Sequence, residues 1–235
     1  MFYIDYIEGR KIVKSDLIDE VLNFFTTRDI CIHSKEEDVS YNREIIEKYI
    51  GQKMATNHPV HGVDVIEVVD NKYFYNNTDG LLLKKGCAGY MNFGDCVPLV
   101  FYVNDVALIS HAGWRGTAQS IAKISVDRLI KETGCRALDI KAVIGPSICF
   151  NCYEVGKDVY DALFSTVDDK KGIFKKENEK YFVDLKGINK QQMLEKGVNK
   201  IDVCPFCTNC GEKMFYSYRF ENKTGYRHSA VVKCR

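Results

Sequence analysis

Thiols and imidazoles are the side chains best suited to hold a transition metal. This chain carries ten cysteines but only five histidines: His33, His58, His61, His111 and His228. The stretch NFGDCVPLVFYVNDVALISHAGWRG holds one of each, Cys96 and His111. Two apolar runs flank Asn104-Asp105, and Asn and Asp tolerate positive φ, so a two-residue hairpin turn is expected there. In that register Val103 faces Val106, Leu99 faces Ser110 and Cys96 sits opposite Gly113. His111 is then the diagonal neighbour of Cys96 on the same face. Diagonal neighbours lie ~7–8 Å apart at Cα, so a thiolate and an imidazole can share one ion. The third ligand is expected to be His61, in NHPVHGVDV, just ahead of a predicted strand and followed by Gly62. One Cys and two His form a borderline-soft set that fits zinc, with copper as the competitor. Three protein ligands leave a fourth position for water or substrate, as catalytic sites do.

His111 also opens HAGWRGT, where a strand is expected to end and a helix to begin. Arg115 in that loop offers a planar fork for phosphate or carboxylate, next to a helix N-terminus expected at Thr117. Trp114 reads as a core cover or a stacking surface. Two further cysteine groups stand out: Cys204, Cys207 and Cys210 in CPFCTNC, and Cys149 and Cys152 in GPSICFNCYEV. A structural zinc site needs four ligands. CPFCTNC resembles a metal knuckle, but no fourth ligand is obvious beyond His228 or Cys234, so packed or redox-active thiols are the default reading of both groups.

These residues need a scaffold. The 235 residues are 46% hydrophobic and 28% charged, enough for a real core in one domain, 1–235. Net charge is +1, which provides no global attraction to nucleic acid or membrane. No apolar run approaches the roughly 18 residues of a membrane span, and the opening MFYIDYIEGR lacks a leader pattern. A cytoplasmic protein with reduced thiols is expected. Helices are predicted at Asp16 to Phe25, Tyr41 to Ile50 (Ser40 as cap, Gly51 beyond the end), Thr117 to Thr133, Glu154 to Phe164 and Asp184 to Lys196. Strands are predicted at 63–69, 99–103, 106–110, 140–144, 181–183, 215–218 and 230–232, in mixed sheets.

Taken in order, HGVDV, TDGLLL, GDCVPLV, SHAGWRGT, IGPSICFNCYEVG, and CT followed by FYSYR resemble the YfiH family, from about residue 23 to the C-terminus. Its members carry the labels laccase-domain multicopper polyphenol oxidase, peptidoglycan editing factor and purine nucleoside phosphorylase. The resemblance implies an α+β single domain built as a four-layer α/β/β/α sandwich with mixed sheets. It implies zinc on His61, Cys96 and His111. It implies phosphorolysis of adenosine, inosine, guanosine and methylthioadenosine, together with deamination of adenosine; the expected partners are nucleosides and phosphate. Asp95 would orient a ligand or move protons, and Arg115 would hold phosphate. The chain departs from the family pattern in four places: Pro59 replaces a Gln, Asp29-Ile30-Cys31-Ile32 replaces a glycine-rich run after TTR, Tyr226 displaces the arginine of TGR to Arg227, and Cys204 and Cys210 go beyond the single Cys-Thr expected at Cys207-Thr208.

Competing chemistries remain. A multicopper oxidase consumes many histidines, and five are few. A cysteine hydrolase would use Cys96 as nucleophile and His111 as its base. A cell-wall precursor editing enzyme would differ only in its substrate.

Overall fold

The computed structural model describes residues 1–234. The Asn104-Asp105 turn forms with φ of 47° and 60°. It joins the strands Val97–Val103 and Val106–Ala112 in the expected register, with Val103 opposite Val106 and Leu99 opposite Ser110. Every residue of both strands is buried, because this hairpin is the centre of a six-stranded sheet covered on both faces. Its order is Lys200–Val203, Lys141–Ile144, Val97–Val103, Val106–Ala112, Gly80–Leu83, Val65–Glu67. The two outermost pairings are parallel and the inner ones antiparallel. A second, five-stranded sheet is antiparallel throughout and runs Phe2–Ile7, Arg10–Ser15, Leu22–Thr26, His228–Lys233, Ala88–Phe93.

Three apolar layers bind these parts. Leu82, Phe101, Leu108 and Ile144 pack against Ala122, Val126 and Leu129 of the helix Ile121–Thr133 and Ile188 of the helix Leu185–Glu195. On the opposite face, Leu81, Val100, Ile109 and Val143 meet Phe25, Met91 and Ala230 of the second sheet. The outer face of that sheet, with Ile12, Phe24, Tyr90 and Val231, is covered by Ile45, Ile46 and Ile50 of the helix Ser40–Ile50. The result is a mixed α+β single domain layered α/β/β/α. Among the described residues no helix is long and apolar enough to cross a membrane.

Several elements differ from expectation. The helix predicted at Asp16 to Phe25 is replaced by a turn and the strand Leu22–Thr26, which pairs on both sides. Adjacent Phe24 and Phe25 serve opposite layers, and that two-sided burial produced an apolar spacing that mimics a helix. The helix predicted from Thr117 starts earlier and breaks: Trp114–Ala118 and Ile121–Thr133 are separated at Ser120, whose φ is 62°. Gly51 and Gly134 close their helices at φ 77° and 67°, as expected. Ser40 is the first helical residue rather than a cap, and Asp38 Oδ1 accepts its N–H instead. The strand expected over 63–69 is only Val65–Glu67, and Glu154-Val155 is a short strand ahead of the helix Lys157–Phe164. Residues 215–218 form no strand; Phe215 is buried with its ring edge-on to His228.

Gly145 follows the strand Lys141–Ile144 and lies against Phe25 of the second sheet. A Cβ there would collide with the Phe25 ring and lie 2.9 Å from Pro98 Cγ. Gly145→Ala is expected to cost ~1–3 kcal/mol by overpacking, read as a lowered urea midpoint with an unchanged slope.

Candidate active site

The chain crosses from the second sheet to the first through Gly94, Asp95 and Cys96, between the strands Ala88–Phe93 and Val97–Val103. Asp95 makes the bend with φ 78°. This crossing delivers Cys96 to the open end of the central hairpin, where His111 lies opposite Pro98 on the neighbouring strand. His61 arrives on a loop, held at φ 62°. The ligand atoms of His61, Cys96 and His111 all lie within 4.8 Å of one another. The two imidazole rings stand 5.2 Å apart at 67°. His111 is buried, Cys96 half-buried and His61 exposed, so the group opens to solvent on one side. Gly113 makes the approach possible, since a Cβ there would lie 2.9 Å from His61 Cδ2 and 3.1 Å from Cys96 Sγ. A Cβ on Gly116 would likewise lie 2.9 Å from the Gly62 carbonyl oxygen. The glycines of HAGWRG are therefore clearance for the His61 loop.

Asp79 explains how that loop is held, and sequence reasoning missed it although it lies in the quoted TDGLLL run. Its carboxylate is fully buried. Oδ1 accepts the N–H groups of Val60 at 3.2 Å and His61 at 2.8 Å, and Oδ2 accepts that of Gly62 at 2.9 Å. Its carbonyl accepts the N–H of His111 at 2.8 Å. One residue thus fixes both histidine backbones. Burial pushes the Asp79 carboxyl up, against the pull of the three N–H donors. The left-handed conformation of His61 turns three successive N–H groups inward, a concavity suited to an anion.

The electrostatics fit a metal. Neither ring nitrogen of His111 has a hydrogen-bond partner, which is costly for a buried polar group unless something else satisfies it. Burial, with His61 and Arg227 nearby, lowers its pKa to about 3, so the ring is neutral and has lone-pair capacity. Burial, reinforced by the Asp95 carboxylate, pushes the Cys96 thiol up to about 12. A divalent cation would draw that proton off and satisfy both groups. One thiolate and two imidazoles suit zinc or copper.

The other expected residues take different places. Asp95 Oδ1 accepts the hydroxyls of Thr208 at 2.6 Å and Ser217 at 2.8 Å, while Oδ2 accepts the Arg219 N–H at 2.7 Å. Arg115 is exposed within the short helix Trp114–Ala118, its guanidinium 4.3 Å from the Trp114 ring centroid, not in a loop ahead of a helix. Two further arginines were missed as site cations. Arg227 is half-buried against Gly94, with its charge felt by Cys96 and His111. Arg219 lies over the Tyr153 ring at 4.8 Å. Tyr153 is a buried phenol whose pKa is pushed up by burial and by Cys96, against the pull of Arg219 and Arg115. Cys204 is buried, with its thiol pushed up to about 12 by burial, whereas Cys207 and Cys210 group with Cys149 and Cys152.

Asp79→Asn replaces one acceptor oxygen with a donor facing an N–H group. The expected cost is ~1–3 kcal/mol. Backbone amide exchange at residues 60–62 should accelerate while the central strands keep their protection. Unchanged exchange there would remove Asp79 as the anchor of the His61 loop.

Known proteins resemble this chain in sequence and fold. The family model described as "Multi-copper polyphenol oxidoreductase laccase" matches residues 23–234. Purine nucleoside phosphorylase YlmD of Bacillus subtilis is 31% identical over 219 residues, 85% of this chain and 79% of that relative. Adenosine deaminase RL5, from an unknown prokaryotic organism, is 29% identical over 161 residues, 66% of this chain and 61% of that relative. The crystal structure of YlmD from Geobacillus stearothermophilus superposes with a TM-score of 0.88 at 26% identity, covering 97% of both chains. That of Bacillus licheniformis YfiH gives 0.90 at 25% identity, covering 98% of both. With the match running through nearly the whole sequence and the whole fold, this chain belongs to the laccase-domain, or YfiH, family.

Proposed function

We propose that this chain is a zinc-dependent purine nucleoside enzyme that cleaves adenosine, inosine, guanosine or methylthioadenosine with phosphate and also deaminates adenosine. The observation that carries the reading is the convergence of His61, Cys96 and the unpartnered His111 within 4.8 Å. The phosphorylase and deaminase names of the relatives supply the substrate class. Zinc held by these three residues would supply Lewis-acid polarisation or activation of water. The chain's own residues do the rest. Arg115, Arg219 and Arg227 bring three permanent cations around Cys96 and Tyr153, in a protein of net charge only +1. That concentration of charge suits phosphate and the charge developing on it. The Asp95 carboxylate, already accepting three hydrogen bonds, acts as a positioning residue for Cys96 rather than as a proton carrier.

The family description names copper. Of the five histidines, only His61 and His111 lie in a metal-capable group among the described residues, and His228 spends Nε2 on the Pro146 carbonyl oxygen at 3.1 Å. That supports one metal at this site rather than several coppers. A cysteine hydrolase would keep its activity without metal and lose it to thiol alkylation, which separates that reading in one assay.

Three measurements test the proposal. Cys96→Ser and His111→Ala should each lower the metal content by one equivalent per chain and abolish turnover on a nucleoside panel; full metal retention in both would remove the site. Metal affinity should rise with pH. His111 is neutral above about 3 and the Cys96 thiol is protonated below about 12. In the neutral range each metal bound therefore releases the Cys96 proton, and the apparent affinity gains about tenfold per pH unit. Arg115→Lys should cost ~1.5–3 kcal/mol in phosphorolysis by losing the planar fork. It should raise the phosphate requirement and spare deamination; equal loss in both reactions would make Arg115 a brace or a ribose contact.

A further inference from the structure

The sequence holds two C-x-x-C pairs 58 residues apart, and the fold brings them together. Cys149 and Cys152 follow the strand Lys141–Ile144, and Cys207 and Cys210 follow the strand Lys200–Val203. These strands are parallel neighbours, so their loops leave the same end of the sheet. The pairing continues past the strands: Ser147 bridges Cys207, and the Thr208 N–H donates to the Ser147 carbonyl at 3.2 Å. All four Sγ atoms lie within 4.8 Å of one another, with Cys149 and Cys210 at 3.6 Å, and none is in a disulfide. A tetrahedron of sulfurs ~2.3 Å from a central zinc has an edge of ~3.8 Å.

Two of the four sulfurs accept N–H donors. The N–H groups of Cys149 and Asn209 both donate to Cys207 Sγ at 3.3 Å, and Asn209 Nδ2 donates to Cys152 Sγ at 3.4 Å. Gly211 follows Cys210 at φ 85°, which lets the chain turn back around the sulfur group. Two short C-x-x-C loops, joined by the Cys149 N–H on Cys207 and the Asn209 side-chain amide on Cys152, form the donor set of a closed metal site.

We propose that Cys149, Cys152, Cys207 and Cys210 bind a second, structural zinc ion, distinct from the centre at His61, Cys96 and His111. Four thiolates leave no open coordination position, so this ion does no chemistry. Its role is to pin one wall of the active site. Thr208 lies between two of the ligands and donates to Asp95 Oδ1 at 2.6 Å; Ile148, just before Cys149, donates its N–H to the Asp95 carbonyl at 3.1 Å. Tyr153 follows Cys152 directly and is buried beside Cys96. Binding releases the thiol protons to solvent and changes no oxidation state. The inference does not depend on the nucleoside reading.

The test is metal counting in two backgrounds on the full chain purified from zinc-supplemented cells. The unaltered protein should carry two zinc equivalents. Cys149→Ser with Cys210→Ser should carry one, and His61→Ala with His111→Ala should carry one. If the cysteine variant does not fold, the histidine variant alone decides. Stripped and titrated with cobalt, it should show saturating thiolate-to-cobalt charge-transfer and tetrahedral d–d absorption at one equivalent, displaced by zinc, together with a rise in the thermal midpoint. A cysteine variant that folds and retains two equivalents would overturn the proposal, as would a histidine variant that binds no cobalt. Loss of nucleoside turnover with both metals counted would leave this inference standing and sink only the functional one.

Discussion

The Asp95 carboxylate is the interaction on which the active-site end of this molecule depends. It sits at the bend where the chain leaves one sheet for the other, and its carboxylate gathers three donors from two distant segments: Thr208 from one, Ser217 and the backbone of Arg219 from the other. Its own carbonyl takes the Ile148 N–H. Hydrogen bonds to a charged acceptor each contribute about 1.5–3 kcal/mol, and here each one also closes a long loop. The loops after Lys141–Ile144 and Lys200–Val203 and the segment 215–219 therefore meet at Asp95 rather than fraying into solvent. Cys96 is the next residue, so whatever orders Asp95 also orders the thiol.

Asp79 performs the complementary task on the other side. Three backbone N–H groups of 60–62 and one of His111 converge on this residue. Two buried carboxylates thus hold the loops that present one thiol and two imidazoles. The layered core beneath explains why such polar anchoring is tolerated. Three apolar layers exclude water from the sheets, and the carboxylates sit at their end, where backbone donors replace the lost hydration. The glycines at 113 and 116 then supply the clearance that lets the loop of His61 rest against the strand of His111.

Much of the central scaffold was legible in the sequence. The hairpin at Asn104-Asp105, its register, and the ends of the helices at Gly51 and Gly134 all follow from residue types acting over a few positions. The strand Leu22–Thr26 was not legible as a strand. Phe24 and Phe25 face different layers, and a strand buried on both sides loses the alternation that would announce it. The break at Ser120 was hidden for a related reason: the sequence around it keeps a helical apolar spacing, and only the packing of the short Trp114–Ala118 helix asks for a turn there.

The sequence by itself determined that Cys96 and His111 would be neighbours, because strand register is local and a two-residue turn closes a short loop at little entropic cost. Only the tertiary structure decided the rest. The delivery of His61 needs Asp79, 18 positions away. The surroundings of Cys96 need Thr208 on Asp95, 113 positions away, and the meeting of two cysteine pairs needs the strands Lys141–Ile144 and Lys200–Val203 to lie in parallel. Such contacts join groups on separate elements. No spacing rule along the chain encodes them; the order of strands in the sheet and the stacking of two sheets on a shared apolar layer select them.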